Sequence, residues 1–337
     1  MRSLLVSAWL LGTVASAQPR ILHFTRTSGY DHGTRAVSFA LFQSIAQELG
    51  AAVDDDATGD SFSDPVTLAE YHVIIFGNTS GNAILSAQQR ANFEEWVANG
   101  GHVMGIHAAS DTYRHSTANG GHTGTWDFYA ELIGASVQEN PNHVVGTPPY
   151  SMELIGTHAS TASLPDPWVK NEEYYYWEGG YYGPDNVEVL RVEQTVGPNG
   201  QVNSYDAPRP MSWYRMLPNG SRVFYTALGH AAENYTSDAL FRAHIRDALG
   251  WLMEGSMGMN ERSDGQLRIH PNPTCGPIRV DGLSGPNAVI EVFDSMGHLL
   301  HQSQLSGNSG MDMGFLDPGV YGIRIDGARA ARVVIAK

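Results

Sequence analysis

The run His72-Val-Ile-Ile-Phe76 is apolar without a break and stops at Gly77-Asn78. A strand apolar on both faces has to be covered on both, and that demands helices above and below a parallel sheet. The flanking sequence supplies them. Arg20-Ile-Leu-His-Phe-Thr25 reads as a strand, and the segment after it, residues 35–49, places positions 37, 41, 42, 45, 46 and 49 on one helical face. Ser86 and Gln89 have capping-box spacing and open a helix that carries Phe93, Trp96 and Val97 and stops at Gly100. A strand at 102–106, a short helix at 126–133, a strand at 222–228 and a helix at about 237–254 continue the alternation. The pattern predicts a doubly wound, mostly parallel α/β sheet that binds ligands beyond the carboxyl ends of its strands.

Composition changes near residue 255. Residues 256–265 read as a linker, and 266–337 as short alternating strands separated by Gly, Pro and Asn turns, the pattern of a small all-β sandwich. At the other end, Met1-Arg-Ser, an apolar stretch over 4–14 and Ala15-Ser-Ala17 describe a secretory signal peptide, so residues 18–255 form the expected α/β domain. No other stretch is long and apolar enough to predict a transmembrane segment in the mature chain. The formal charge is -15, with only two lysines, Lys170 and Lys337. Such a surface is a poor partner for nucleic acid or anionic membranes. The acidity belongs to the first domain, since the six basic and six acidic residues from 265 onward balance. Cys275 is the single cysteine, so the first 274 residues hold neither a thiol nucleophile nor a thiolate metal ligand.

Polar residues collect just after the predicted strands. His32 follows the first, in Ser28-Gly-Tyr-Asp-His-Gly33; Asn78 follows the second; His107 and Asp111 follow the third; His230 and Glu233 follow the strand at 222–228. The stretch Gly100-Gly-His-Val-Met-Gly-Ile-His-Ala-Ala-Ser-Asp111 reads as a buried strand ending in a tight turn, where an α/β protein presents a nucleophile; the residue presented is His107. Three imidazoles at matching strand ends predict a shared pocket. Glu172 and Glu173 are adjacent, so on an extended segment only one enters a site, and Glu173 is preferred. His107, His230 and Glu173 are the catalytic candidates. His32, Asn78, Asp111, His158, Tyr175, Trp213 and Glu233 are the substrate-binding candidates, with Tyr175 and Trp213 as a sugar platform. The cofactor is left open; a divalent metal would draw on His32, His107 and His230. His115 and His122, in a polar Gly-rich stretch, are expected in solvent, and Asp54-Asp-Asp56 as a solvated charge run.

Several motifs resemble the ThuA-like (trehalose utilisation) family, whose fold is that of class I glutamine amidotransferases: Gly-Tyr-Asp-His32, Val-Ile-Ile-Phe-Gly-Asn-Thr-Ser80, Gly-Gly-His-Val-Met-Gly-Ile-His107-Ala-Ala, Glu172-Glu173-Tyr-Tyr, Met-Ser-Trp213 and Leu-Gly-His230-Ala-Ala-Glu233. The resemblance covers about 20–255. It departs from the family at Glu172, where Asp is usual, and at His158-Ala, where His-Pro is usual. Amidotransferases carry a cysteine at the elbow, so that reaction is unavailable here. What the resemblance implies is action on sugars or keto-sugars, with an imidazole as proton carrier. A sugar-binding module without turnover is the alternative. Ordinary glycoside hydrolysis by paired carboxylates ranks below both, because it leaves the histidines no task. The second domain, with Ile269-His-Pro-Asn-Pro-Thr274, Val292-Phe-Asp-Ser-Met-Gly297 and Leu316-Asp-Pro-Gly-Val-Tyr321, looks like a type A C-terminal sorting domain. Its partner would be the type IX secretion machinery, and the protein would be secreted or held at the outer cell surface.

Overall fold

The structure, a computed structural model, describes residues 18–115, 124–179, 182–254, 268–270, 274–281, 287–293, 299–306, 310–325 and 329–335. The expectations for the signal peptide, the linker and His122 fall outside those residues. The chain divides into two compact units, with the boundary between Gly258 and Met259.

The first unit begins β1 (Arg20–Phe24), α1 (Arg35–Glu48), β2 (Ala52–Asp56), α2 (Pro65–Leu68), β3 (Tyr71–Gly77), α3 (Ala87–Ala98), β4 (His102–Ile106) and α4 (Asp127–Ile133). It continues with β5 (Pro149–Leu154), β6 (Trp168–Asn171), β7 (Val187–Val192), β8 (Arg209–Met216), β9 (Arg222–Thr226), α5 (Ala232–Thr236) and α6 (Ala239–Met253). One nine-stranded sheet runs in the order β2-β1-β3-β4-β9-β8-β7-β5-β6. The half from β2 to β9 is parallel, as the apolar runs require. The pairs from β9 to β6 are antiparallel, an extension that the alternation does not predict.

Both faces of the parallel half are covered. On one, α1 buries Leu41, Phe42, Ile45 and Ala46, and its Phe42 ring meets His23 of β1. On the other, Phe76 of β3 packs edge-on against Phe93 of α3 and Tyr129 of α4. Each fully buried aromatic or branched side chain contributes roughly 1.5–3 kcal/mol. The expected capping box is formed: Ser86 N donates to Gln89 Oε1 at 2.8 Å and Gln89 N to Ser86 Oγ at 3.3 Å. Asp238 caps α6, accepting from Leu240 N and Phe241 N. Among the described residues no helix is long and apolar enough to cross a membrane.

Two expectations are corrected. Asp54, Asp55 and Asp56 form the edge strand β2 rather than a solvated run. Arg20 pairs with Asp54 at 2.6 Å and Arg35 with Asp55 at 2.8 Å, while Asp56 is buried and accepts from the N–H groups of Thr58, Gly59 and Ser61. Charge at a sheet edge, satisfied locally, looks the same in sequence as charge in solvent. His115 is fully buried instead of exposed, with Nε2 2.8 Å from Asp127 Oδ1 at the start of α4.

The second unit contains β10 (Arg268–His270), β11 (Pro277–Asp281), β12 (Asn287–Phe293), β13 (Leu299–Ser306), β14 (Gly310–Asp312), β15 (Gly319–Ile325) and β16 (Arg329–Ile335). They form a three-stranded sheet, β10-β11-β14, and a four-stranded sheet, β13-β12-β15-β16, with every pair antiparallel. Ile278, Ile290, Val292, Met313, Ile323 and Val333 are among the side chains of its separate core.

Two neutral histidines are buried at α6, His244 on the helix itself and His158 beside it. His244 Nδ1 donates to Ser160 O at 2.9 Å, and His158 Nδ1 lies 2.9 Å from Ser160 Oγ. Burial holds each ring down at about 4. An unfolded histidine takes up its proton near pH ~6.5, so on acidification the unfolded chain binds protons that the fold refuses. Stability should therefore be full at neutral pH and fall from about pH 6.5 to about pH 4, by about 3 kcal/mol per ring. Urea denaturation across that range checks this; an unchanged unfolding free energy would show that both rings are readily protonated in place.

Candidate functional site

The parallel register sets the geometry. Phe24 of β1 lies opposite Phe76 of β3, Gly77 opposite Ile106 of β4, and Ile106 opposite Thr226 of β9. The residues just beyond these strand ends therefore share one edge of the sheet. His107 follows β4 directly and adopts φ +47°, the left-handed region that a non-glycine residue enters at a cost of about 1–3 kcal/mol. Its main chain is clamped on both sides: Asn78 N donates to Ile106 O at 3.3 Å and the Tyr225 hydroxyl donates to His107 O at 2.8 Å. Gly229, at φ +113°, has to be glycine, since a Cβ there would lie 2.8 Å from the Tyr235 hydroxyl and 2.9 Å from Ile106 Cγ2.

Three imidazoles and one carboxylate meet at this edge. His32, His107, Glu173 and His230 each bring one donor atom within 4.8 Å of all the others. His107 is fully buried, with Nδ1 2.6 Å from Ala227 O. A carbonyl only accepts, so the ring hydrogen sits on Nδ1, and in the neutral ring Nε2 offers a lone pair. That nitrogen lies 2.9 Å from the Tyr175 hydroxyl, 3.2 Å from Glu173 Oε2 and 3.3 Å from His230 Nδ1. His230 Nδ1 is 3.4 Å from Glu173 Oε2. The His32 ring stands edge-on to His107 and His230, with centroids 4.7 Å and 5.1 Å away.

Electrostatics divide the roles. Burial, reinforced by the two neighbouring imidazoles, pushes His32 down to about 3, so it is neutral. For Glu173, burial works to raise the carboxyl, but its close contacts with the His107 and His230 imidazoles prevail and hold it well below the usual carboxylate range. It is therefore a resident anion beside the imidazoles. The bond to Glu173 holds His230 above the ordinary imidazole range, against its partial burial. Asp111 lies beside the group, bridged to Arg114 at 3.2 Å; burial raises its carboxyl.

Alternation along 172–175 sorts the neighbouring side chains. Glu173 and Tyr175 face His107. Glu172 points the other way, is buried, and accepts from Gly229 N (2.9 Å), His230 N (3.2 Å) and Asn234 Nδ2 (2.8 Å). It thus fixes the loop that carries His230. His143 was not foreseen. Its Nε2 lies 3.2 Å from Glu173 Oε1, and a bridge between His143 and Tyr175 pairs their segments. Nothing around Asn142-His-Val-Val-Gly146 marks it in the sequence, since that loop is placed only by this long-range pairing.

Several substrate-binding assignments are corrected. The Nδ2 of Asn78 donates to Thr34 Oγ1, Gly229 O and the Tyr235 hydroxyl at 2.8–3.1 Å, so its amide is spent on tying three loops together. Trp213 is fully buried and donates to Ile133 O at 2.8 Å, and it cannot serve as a sugar platform. Tyr175 is buried with its ring stacked on His107 at 4.5 Å, so that face is already taken. His158 stacks on Tyr214 at 4.5 Å and meets Trp251, whose carbonyl is bonded by Arg222 at the amino end of β9; it lies at the far end of the sheet. Glu233 is exposed in the first turn of α5 and lines a cavity of about 470 Å3 that adjoins Glu172, together with Lys170, Trp168 and Asp238. A cavity of about 350 Å3 beside Tyr71, Trp96 and His102 is at the amino ends of β3 and β4, away from the histidines.

If Glu172 is the anchor, Glu172→Gln should destabilise the first unit by about 2 kcal/mol, because an amide group would face three N–H donors. The exposed Glu233→Gln should stay within about 0.5 kcal/mol of wild type. Chemical denaturation of the two variants checks the contrast, and equal effects would remove Glu172 from that role.

The ThuA family model, described as trehalose utilisation, matches residues 20–252. Among solved structures, a putative ThuA-like protein from Bacteroides uniformis ATCC 8492 is 21% identical with a TM-score of 0.55, covering 71% of this chain and 94% of its own. A putative ThuA-like protein from Parabacteroides merdae ATCC 43184 is 16% identical with a TM-score of 0.50, covering 73% of this chain and 94% of its own. At these identities the likeness concerns the fold. A comparison with curated proteins gives no match. With the family model spanning most of its length, the chain belongs to the ThuA (trehalose utilisation) family.

Proposed function

We propose that this protein acts on glycosides, and specifically that it breaks down keto-glycosides with the histidine-rich pocket at the carboxyl edge of its sheet. The observation that carries the reading is the convergence of His107, His230 and Glu173 in a chain whose family is associated with trehalose utilisation. A ketone at C3 of a sugar acidifies the proton at C2. A base takes that proton, the electron pair forms the C1–C2 double bond, the C1–O bond breaks, and the departing sugar oxygen takes up a proton. No oxidant is consumed. His230 is placed to carry protons, since its side chain keeps 26% exposure while paired with Glu173. The buried His107, fixed by Ala227 O and Tyr175, positions that pair.

A non-catalytic sugar receptor is the second reading. It is favoured by the absence of a thiol at the elbow, the single cysteine being Cys275. The two part on one experiment. The full chain is incubated with trehalose, simple glucosides and their 3-keto forms, and product is followed beside equilibrium binding. His230→Gln and Glu173→Gln should each lower conversion of the keto form by about a hundredfold or more, with folding unchanged by circular dichroism. Binding that persists without any conversion in wild type would favour the receptor.

We also propose that the protein is exported, with residues 1–17 as signal peptide and 266–337 as sorting domain for the type IX machinery. Its support is the leader-like pattern and the all-β character of the second unit. In a host with that machinery the full chain should reach the cell surface. A chain ending at residue 255 should stay in the periplasm; equal delivery of both would sink the assignment.

A further inference from the structure

We propose that His107 Nε2, His230 Nδ1, Glu173 Oε2 and one ring nitrogen of His32 form a mononuclear site for a divalent transition-metal cation of the zinc class. Three distances carry the idea. The separations His107–Glu173, His107–His230 and His230–Glu173 are 3.2, 3.3 and 3.4 Å, a nearly equilateral triangle. Ligands about 2.0–2.1 Å from a tetrahedral ion stand about 3.3–3.4 Å apart. The fourth donor, on His32, lies within 4.8 Å of each of the other three, so a small inward movement of one loop completes the set.

The hydrogen inventory points the same way. His107 spends its N–H on Ala227 O and turns a lone pair toward a carboxylate that can only accept. The Tyr175 hydroxyl is the donor that occupies this lone pair at 2.9 Å. His32 has a buried Nδ1 with no hydrogen-bond partner, an arrangement that is unfavourable unless something fills it. Outside the donors, Ala227 O orients His107, and His143 Nε2 holds the second oxygen of Glu173 at 3.2 Å, which is how protein metal sites fix their ligands. Three imidazoles with one carboxylate suit zinc, cobalt, nickel or iron, whereas calcium and magnesium prefer all-oxygen sets. His230 and Glu173 keep 26% and 12% of their side chains exposed, so a ligand can approach the ion from their side. On the keto-glycoside reading, the ion would supply a Lewis acid for the ketone oxygen; binding of the ion does not depend on that reading.

The test uses the full-length protein, stripped with EDTA and titrated with Zn2+ or Co2+ alone. One equivalent should bind per chain, cobalt should give visible absorption bands of an ordered low-coordinate site, and the melting temperature should rise with added metal. His32→Ala, His230→Ala and Glu173→Gln should each weaken binding by about tenfold or more. His72→Ala, on an exposed histidine of β3, should retain the full equivalent. Circular dichroism separates a lost ligand from a lost fold. No saturable binding, or binding equally strong in all three ligand variants, overturns the site. Tight binding without turnover of any keto-sugar leaves the site standing and removes the function proposed above; turnover by metal-free protein in excess chelator leaves that function standing and removes the ion's Lewis-acid role from it.

Discussion

Everything at the functional edge follows from the parallel pairing of β1, β3, β4 and β9 in a fixed register. Parallel strands all end on the same side, so four loops separated by up to two hundred residues in sequence are delivered to one line. The strand order places the β1/β3 neighbours at the reversal point of the winding, where open α/β sheets leave a crevice. His32, Asn78, His107 and His230 each sit a few residues past such an end. Cross-links between the loops then convert proximity into geometry. Asn78 holds the turns at 34, 108 and 229, and Glu172 holds 229 and 230 from behind.

The antiparallel half of the sheet contributes in a different way. It carries no part of the four-residue group on its strands. The segment that follows β6 runs extended against residues 137–144 and lays Glu173 and Tyr175 over His107. A lid of backbone supplies the only acid in the group, while its opposite face buries Glu172 and Tyr174. The pocket therefore has an imidazole floor contributed by the parallel strands and an anionic wall contributed by the extension.

Much of this could be read in the sequence, for identifiable reasons. Apolar runs that ignore alternation announced β3 and β4, and the one-sided spacing in α1 named the face that is buried. Histidines recurring after strand ends announced the convergence, and the alternation rule separated Glu173 from Glu172. Other elements left no such trace. β2 is acidic because it is an edge, and its charges are neutralised by Arg20 and Arg35 from elsewhere in the chain. Aromatic side chains give no sign of which face is free: Trp213 and Tyr175 are both consumed by packing. His158, Asn78 and His143 differ only in what tertiary pairing does with them. An imidazole packed among rings, an amide used as a tie and a second contact to a carboxylate look alike before the chain folds.

The turn at residue 107 has a consequence for how such a scaffold can diversify. Its left-handed backbone is secured by Asn78 N on Ile106 O and by Tyr225 on His107 O, contacts that involve main-chain atoms and not the imidazole. The apex behaves as a socket whose shape is independent of what is plugged into it. A different side chain at that position would leave both main-chain contacts in place, so new reactivity on this architecture requires no rebuilding of the support.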